Sequence, residues 1–139
     1  MLLLPGVCQI GPEQEAAIRR FVENGGTVIL SAFSAKVDEH NQGFPTPQPG
    51  RLSDLFGVQV RGFDRAYTHV ASVNEGCLQK EDLRLHRQHV TLTLDGEDLA
   101  IPVDYHEFLR LQDAETWGVY RNAVSMDITA VSCRQQGKG

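Results

Sequence analysis

Residues 12 to 31 read Pro12-Glu13-Gln14-Glu15-Ala16-Ala17-Ile18-Arg19-Arg20-Phe21-Val22-Glu23-Asn24-Gly25-Gly26-Thr27-Val28-Ile29-Leu30-Ser31. The first part predicts a helix over 12–24. Pro12 suits a first helical turn, Glu13 and Glu15 complement the positive helix end, and Ala17, Ile18, Phe21 and Val22 fall on one face. Arg19 and Arg20 then point outward, and Glu15 stands one turn before Arg19 as a weak helical ion pair. Asn24-Gly25-Gly26 supplies a left-handed stop. Thr27 to Ser31 is a continuous, mostly apolar run, the pattern of a parallel strand covered on both faces. Leu2-Leu3-Leu4 ahead of the helix reads as its partner strand, so the opening segment is a strand-helix-strand unit. Such a unit needs neighbours on both sides of its sheet. The expectation is therefore a single α/β domain, 1–139, truncated at both ends.

Downstream, residues 32 to 50 read as a loop closed by Pro45, Pro47, Pro49 and Gly50, and a loop that long in a compact domain usually has a job. One helical turn follows around Leu52, Leu55 and Phe56, ended by Gly57, then strands over Val58–Phe63 and Tyr67–Val73. From Arg84 the period becomes two. Val90, Leu92 and Leu94 alternate with Thr91 and Thr93, Asp95-Gly96-Glu97-Asp98 turns the chain, and Leu99, Ile101 and Val103 return it as an antiparallel hairpin. Short strands are expected at Phe108–Leu111, Glu115–Tyr120 and Ala130–Cys133, and Gly137-Lys138-Gly139 forms a turn-like ending.

With 139 residues, 41% of them hydrophobic and 22% charged, the chain can bury a real core. No segment reaches the ~20 apolar residues of a membrane span, and Met1 to Leu4 has neither the length nor the basic flank of a secretory signal. The net charge is −5, and Arg19, Arg20, Arg84, Arg87 and Arg110 are scattered among acids, so neither nucleic acid nor membrane is an expected partner. Cys8, Cys77 and Cys133 are three and far apart, which fits free thiols in a reducing cytoplasm better than disulfides or a zinc site.

Few residues suggest chemistry, and each has a plainer reading. Cys8, in Gly6-Val7-Cys8-Gln9-Ile10-Gly11 between strand and helix, sits where an α/β enzyme can expose a nucleophile, but the spacing is off by one residue. His106-Glu107, an adjacent base and acid, lies near a predicted strand rather than in a recognisable His-x-Glu arrangement, so a structural thiol is the better reading. His86 and His89 have helical metal-ligand spacing but lie in a strand-like pattern that sends them to opposite faces. The acidic pairs Glu81-Asp82 and Glu97-Asp98 fit solvated turns. Gly25-Gly26 follows a helix rather than opening one, so it cradles no phosphate. Trp117, with Tyr120, Tyr105 and Phe108 nearby, offers a stacking surface for a sugar but fits packing better. No catalytic, cofactor or metal site is expected.

One pattern is more distinctive. Phe21-Val22-Glu23-Asn24-Gly25-Gly26-Thr27-Val28-Ile29-Leu30 runs into Ser34-Ala35-Lys36-Val37-Asp38-Glu39-His40-Asn41 and then Pro49-Gly50-Arg51-Leu52-Ser53-Asp54-Leu55-Phe56-Gly57-Val58. This resembles the middle, trimerisation domain of family 42 glycoside hydrolases, the β-galactosidases, in which a helix ending in Gly-Gly leads to a strand, a Ser-Gly-x-Val-Asp-Glu-x-Asn loop and a Pro-Gly-x-Leu turn. Asp113-Ala114-Glu115 through Tyr120 and Gly137-Lys138-Gly139 are similar to later parts of that domain. The resemblance implies a three-layer, mostly parallel fold like that of class I glutamine amidotransferases (flavodoxin-like), with an antiparallel β insertion. It also implies a role without catalysis of its own, packing against the (β/α)8 barrel that carries both catalytic carboxyls and against neighbouring subunits of a homotrimer. Ser34, Val37, Asp38, Glu39 and Asn41 become the candidate contact loop. Ala35 stands where the family has glycine; if that position needs a positive φ, the loop is expected to bend differently here. The rival readings are a small amidotransferase-like enzyme using Cys8 and a sugar-binding module built on Trp117 and Tyr120.

Overall fold

The structure is a computed structural model that describes residues 1–65, 89–94, 96–102, 105–121 and 128–139. The expected strand Tyr67–Val73, Cys77, Glu81-Asp82, His86 and the side chain of His89 lie outside the described residues. In chain order the elements are β1 (Leu2–Leu4), α1 (Pro12–Glu23), β2 (Val28–Leu30), a 3-10 turn (Gly50–Leu52) leading into α2 (Ser53–Phe56), β3 (Val58–Arg65), β4 (His89–Leu94), β5 (Glu97–Pro102), β6 (Tyr105–Leu111), β7 (Glu115–Arg121) and β8 (Ile128–Cys133). Together they make a small α/β domain with both parallel and antiparallel sheets.

The opening unit forms as its residues dictate. The Gln14 side chain reaches back to accept the Gly11 N–H at 3.2 Å, satisfying one orphan donor of α1. At the other end Gly26 N–H bonds Phe21 C=O at 2.8 Å and Gly25 N–H bonds Val22 C=O at 2.9 Å, a Schellman closure that needs the left-handed φ of 93° at Gly25. β1 and β2 then pair in parallel, Leu2 beside Val28 and Leu4 beside Leu30. The apolar face of α1 is narrower than expected. Ile18 and Val22 are buried, whereas Ala17 is exposed and the Phe21 ring lies over Gly26. Ile18 and Val22 join Ile10, Ala35, Leu52 and Leu55 in the core, against which Leu2, Leu4, Val7 and Val28 pack.

Arg19 does not point into solvent. Its guanidinium grips both oxygens of Asp54 at 2.7 and 3.0 Å, donates to Arg51 C=O at 2.6 Å and bonds Glu15 at 3.0 Å, fastening α1 to α2. These bonds hold the Asp54 carboxyl below its usual range despite some desolvation. A depressed carboxylate contributes stability above its unfolded pKa and loses it as pH falls through the folded one. The contribution is small, because Asp54 is 70% exposed. The unfolding midpoint should therefore fall below about pH 4, and Asp54→Asn should flatten that part of a thermal-melt series against pH.

Gly57 ends α2 at a left-handed φ of 65° and starts β3. Its carbonyl accepts both Gln112 and Asp113 N–H groups, and a Cβ there would stand 2.9 Å from Ala114 N, so the junction has room only for glycine. Arg134, just past β8, donates to Asp54 C=O and pairs with Asp113 at 3.1 Å, closing the same corner.

Among the described residues, β1–β2 is the only parallel strand pair. β3 pairs antiparallel with β6, and β5-β4-β7-β8 form a four-stranded antiparallel sheet. The β insertion thus outweighs the parallel part in what is described. The physical reason is connection length: β4 and β5 are joined by a tight turn at Gly96, which permits only antiparallel pairing, whereas parallel pairing requires a crossover such as α1.

Candidate assembly surface

The loop after β2 is held from both sides. Ser34 Oγ accepts the Val7 N–H at 3.1 Å and donates to Leu4 C=O at 3.1 Å. Ala35 N–H bonds Val7 C=O at 2.8 Å, and Lys36 and Val37 N–H groups both bond Cys8 C=O, at 2.8 and 3.1 Å. On the other side Glu107 of β6 accepts the Phe33 N–H at 3.0 Å and pairs with Lys36 Nζ at 3.7 Å. Lys36 Nζ also lies 3.9 Å above the Phe33 ring, which packs edge-on against Phe63 and Tyr105. Between these anchors the backbone is left-handed at Phe33, Ala35 and Asn41, with φ of 63°, 53° and 60°. Ala35 itself adopts positive φ, so the loop keeps that bend without glycine.

These anchors sort the candidate contact residues. Ser34 is 5% exposed, and its hydroxyl is used within the fold. Val37 is half-buried and bridges Gln9 and Gly43. The Asp38 carboxylate faces its own turn and accepts the Gln42 N–H at 2.8 Å and the His40 N–H at 2.9 Å. The Gln42 amide is the first cause holding Asp38 below its usual pKa. Glu39 and Asn41 are exposed, and His40 stands between them, its Nε2 3.8 Å from Glu39 Oε1. The outward surface of the loop is thus Glu39-His40-Asn41. Sequence reasoning passed over His40, Lys36 and Phe33, and considered Glu107 only as an acid behind a base for Cys8.

The Cys8 thiol is exposed, and among the described residues no side chain hydrogen-bonds to it. Glu107 is committed to Phe33 and Lys36. A nucleophile needs a base within hydrogen-bond reach, and among the described residues none is brought to Cys8. Glu97 and Asp98 lie in β5, where Asp98 accepts a hydrogen bond from Thr93 at 2.5 Å. Among the described residues no three His, Cys, Asp or Glu side chains gather as a metal site would require, and no helix is long and apolar enough to cross a membrane.

A mostly apolar cleft of about 560 Å³ separates β2 from β3, β6 and β8. Leu30, Val60, Leu109 and Val131 line it, with Trp117 and Tyr120 of β7. Burial, then the charge of Glu107, raises the Tyr120 hydroxyl above its ordinary pKa. His106 Nδ1 is buried there without a hydrogen-bond partner among the described residues. Beside the cleft, β2 has an edge that no strand among the described residues covers. Thr27 C=O and Ser31 N–H bond β1, and in that parallel ladder the N–H and C=O groups of Val28 and Leu30 point away from β1. Leu3 and Ile29, 55% and 46% exposed, lie on the sheet face opposite α1, and Trp117 is 58% exposed.

The class defined by these features is a small α/β domain with parallel and antiparallel sheets and exposed apolar side chains on one face of its parallel pair. Residues 1–139 match the β-galactosidase trimerisation domain along their whole length, and the chain belongs to that family, the middle domain of family 42 glycoside hydrolases. It is 26% identical over 144 residues to the β-galactosidase BglY of Alicyclobacillus acidocaldarius, a match spanning all of this chain and 18% of that protein. It is 35% identical over 63 residues to the β-galactosidase BgaB of a Geobacillus strain, covering 45% of this chain and 9% of that one. Among solved structures, Gan42B, a β-galactosidase from G. stearothermophilus, superposes with a TM-score of 0.77 at 25% identity over 99% of this chain and 17% of its own. The β-galactosidase of Bacillus circulans sp. alkalophilus shares the fold, with a TM-score of 0.76 at 17% identity. The chain spans less than a fifth of the length of these full-length relatives.

Proposed function

We propose that this chain is the assembly domain of a homotrimeric β-galactosidase, packing against a (β/α)8 catalytic domain elsewhere in the same polypeptide and against neighbouring subunits. The observation that carries the reading is the family match over residues 1–139, and it is supported by a loop anchored at Phe33 and Ser34 whose tip, Glu39-His40-Asn41, is exposed. The β1–α1–β2 unit supports the finer fold reading, a three-layer, amidotransferase-like parallel sheet: α1 covers one face only, while Leu3 and Ile29 leave the other bare. Hydrolysis of terminal β-D-galactosides belongs to the barrel. The free thiols of Cys8 and Cys133 support a reducing, cytoplasmic setting.

The test uses the intact polypeptide. Light scattering should give the mass of three subunits, and a chromogenic β-galactoside should be cleaved. Changing Glu39, His40 and Asn41 together to alanine should shift the mass toward one subunit. A wild-type protein that stays monomeric at micromolar concentration while cleaving the galactoside would overturn the assembly role.

A further inference from the structure

We propose that Glu107 is the positioning residue of the assembly loop, its carboxylate holding the Phe33 amide and the Lys36 ammonium so that Glu39, His40 and Asn41 meet a second copy of this chain in one geometry. The inference rests on the loop being a subunit contact and adds what fixes its shape. Left-handed residues other than glycine cost about 1 kcal/mol or more each, so Phe33 and Ala35 hold that conformation only where surrounding groups over-determine it. Ser34 and the carbonyls of Val7 and Cys8 supply the anchors on the β1 side. On the opposite side, among the described residues, Glu107 is the carboxylate that meets both Phe33 and Lys36.

Burial gives this contact its leverage. The Lys36 and Glu107 side chains are 17% and 11% exposed, and Lys36 rests on the Phe33 ring, which Phe63 and Tyr105 hold from the side. Without the carboxylate, an ammonium largely removed from water is left, among the described residues, against the Phe33 and Phe63 rings, and the Phe33 N–H loses its acceptor. The cheapest relief is for Lys36 to swing outward. Lys36 and Val37 are the residues clamped to the Cys8 carbonyl just before Asp38, whose side chain shapes the tip, so a backbone shift that accompanies the swing is passed along Val37 and Asp38 to Glu39 through Asn41.

Subunit dissociation, measured by sedimentation of the intact polypeptide across concentration, tests the idea when paired with amide exchange at Phe33 and Lys36. Glu107→Ala should weaken association by about tenfold or more, the scale of one lost charge-assisted contact, and speed exchange at both amides. Glu107→Gln keeps an acceptor for the Phe33 N–H without the charge and should fall between Glu107→Ala and wild type. Val58→Ala, a buried change outside the cluster that holds Ala35, should lower Tm while leaving association within about threefold of wild type. Equal weakening by Val58→Ala and Glu107→Ala would show that Glu107 acts only through stability and would overturn the inference. So would faster exchange in Glu107→Ala with unchanged association, provided the Glu39, His40 and Asn41 triple variant does dissociate. If the triple variant stays fully assembled, the loop reading itself fails, and the inference with it.

Discussion

Valine in place of Ala35 is expected to destabilise the domain by about 2–4 kcal/mol, the sum of two separate penalties. Ala35 sits at φ 53°, where a β-branched side chain crowds the backbone more than a methyl does. It is also 1% exposed and packed in the core with Ile10 and Leu52, so the extra methyls have no free space to enter. Ala35→Gly is the informative control. Removing the methyl relieves left-handed strain but surrenders about 0.8 kcal/mol of buried carbon and adds freedom to the unfolded chain. These terms oppose, and the glycine variant should fall within about 1 kcal/mol of wild type in urea denaturation. A valine variant as stable as the glycine one would mean that position 35 is not held left-handed.

Leu52→Ala should cost about 2–5 kcal/mol. Leu52 is 1% exposed and is the largest fully buried side chain among the described residues. It lies where the turn into α2 meets the core of α1 and the loop, joining Ile18, Val22, Ala35 and Leu55. Those neighbours belong to elements pinned by hydrogen bonds, Arg19 to Asp54 and Arg51 on one side and Ser34 to Leu4 on the other, so they cannot collapse far into the space left behind. A cavity that stays open puts the cost toward the upper part of the range. Chemical denaturation should show a lower midpoint with an unchanged slope; a loss under about 1 kcal/mol would mean that the site collapses freely.

The legible parts of the fold were those governed by neighbours in sequence. The helix over Pro12–Glu23, its Gly25 stop, the turn ended by Gly57 and the alternating hairpin of β4 and β5 all follow from local propensity and periodicity, and the structure has them. The outward reading of Arg19 failed because its partner, Asp54, lies 35 residues away, and helical spacing offers only Glu15. Residues 34–41 do lie in a loop between β2 and the turn into α2, but the roles of its residues within the fold were not readable. Ser34 is consumed by Val7 and Leu4, 27 and 30 residues away, which nothing local announces, whereas Asp38 caps its own turn at His40 and Gln42, a local habit of Asp that the sequence reading did not use.

Sequence alone thus determined the elements, their order, the family resemblance and the position of the loop, because turns, caps and apolar periods act over a few residues. Tertiary structure decided which side of that loop is available. The anchor opposite Ser34 comes from Glu107, 74 residues from Phe33, and pairs with a lysine whose sequence context carries no mark of burial. It also decided that Ala35 tolerates a left-handed bend, since only the assembled core supplies the contacts that offset the strain. A contact between residues so distant in sequence depends on strand pairing and sheet packing, which composition and periodicity do not encode.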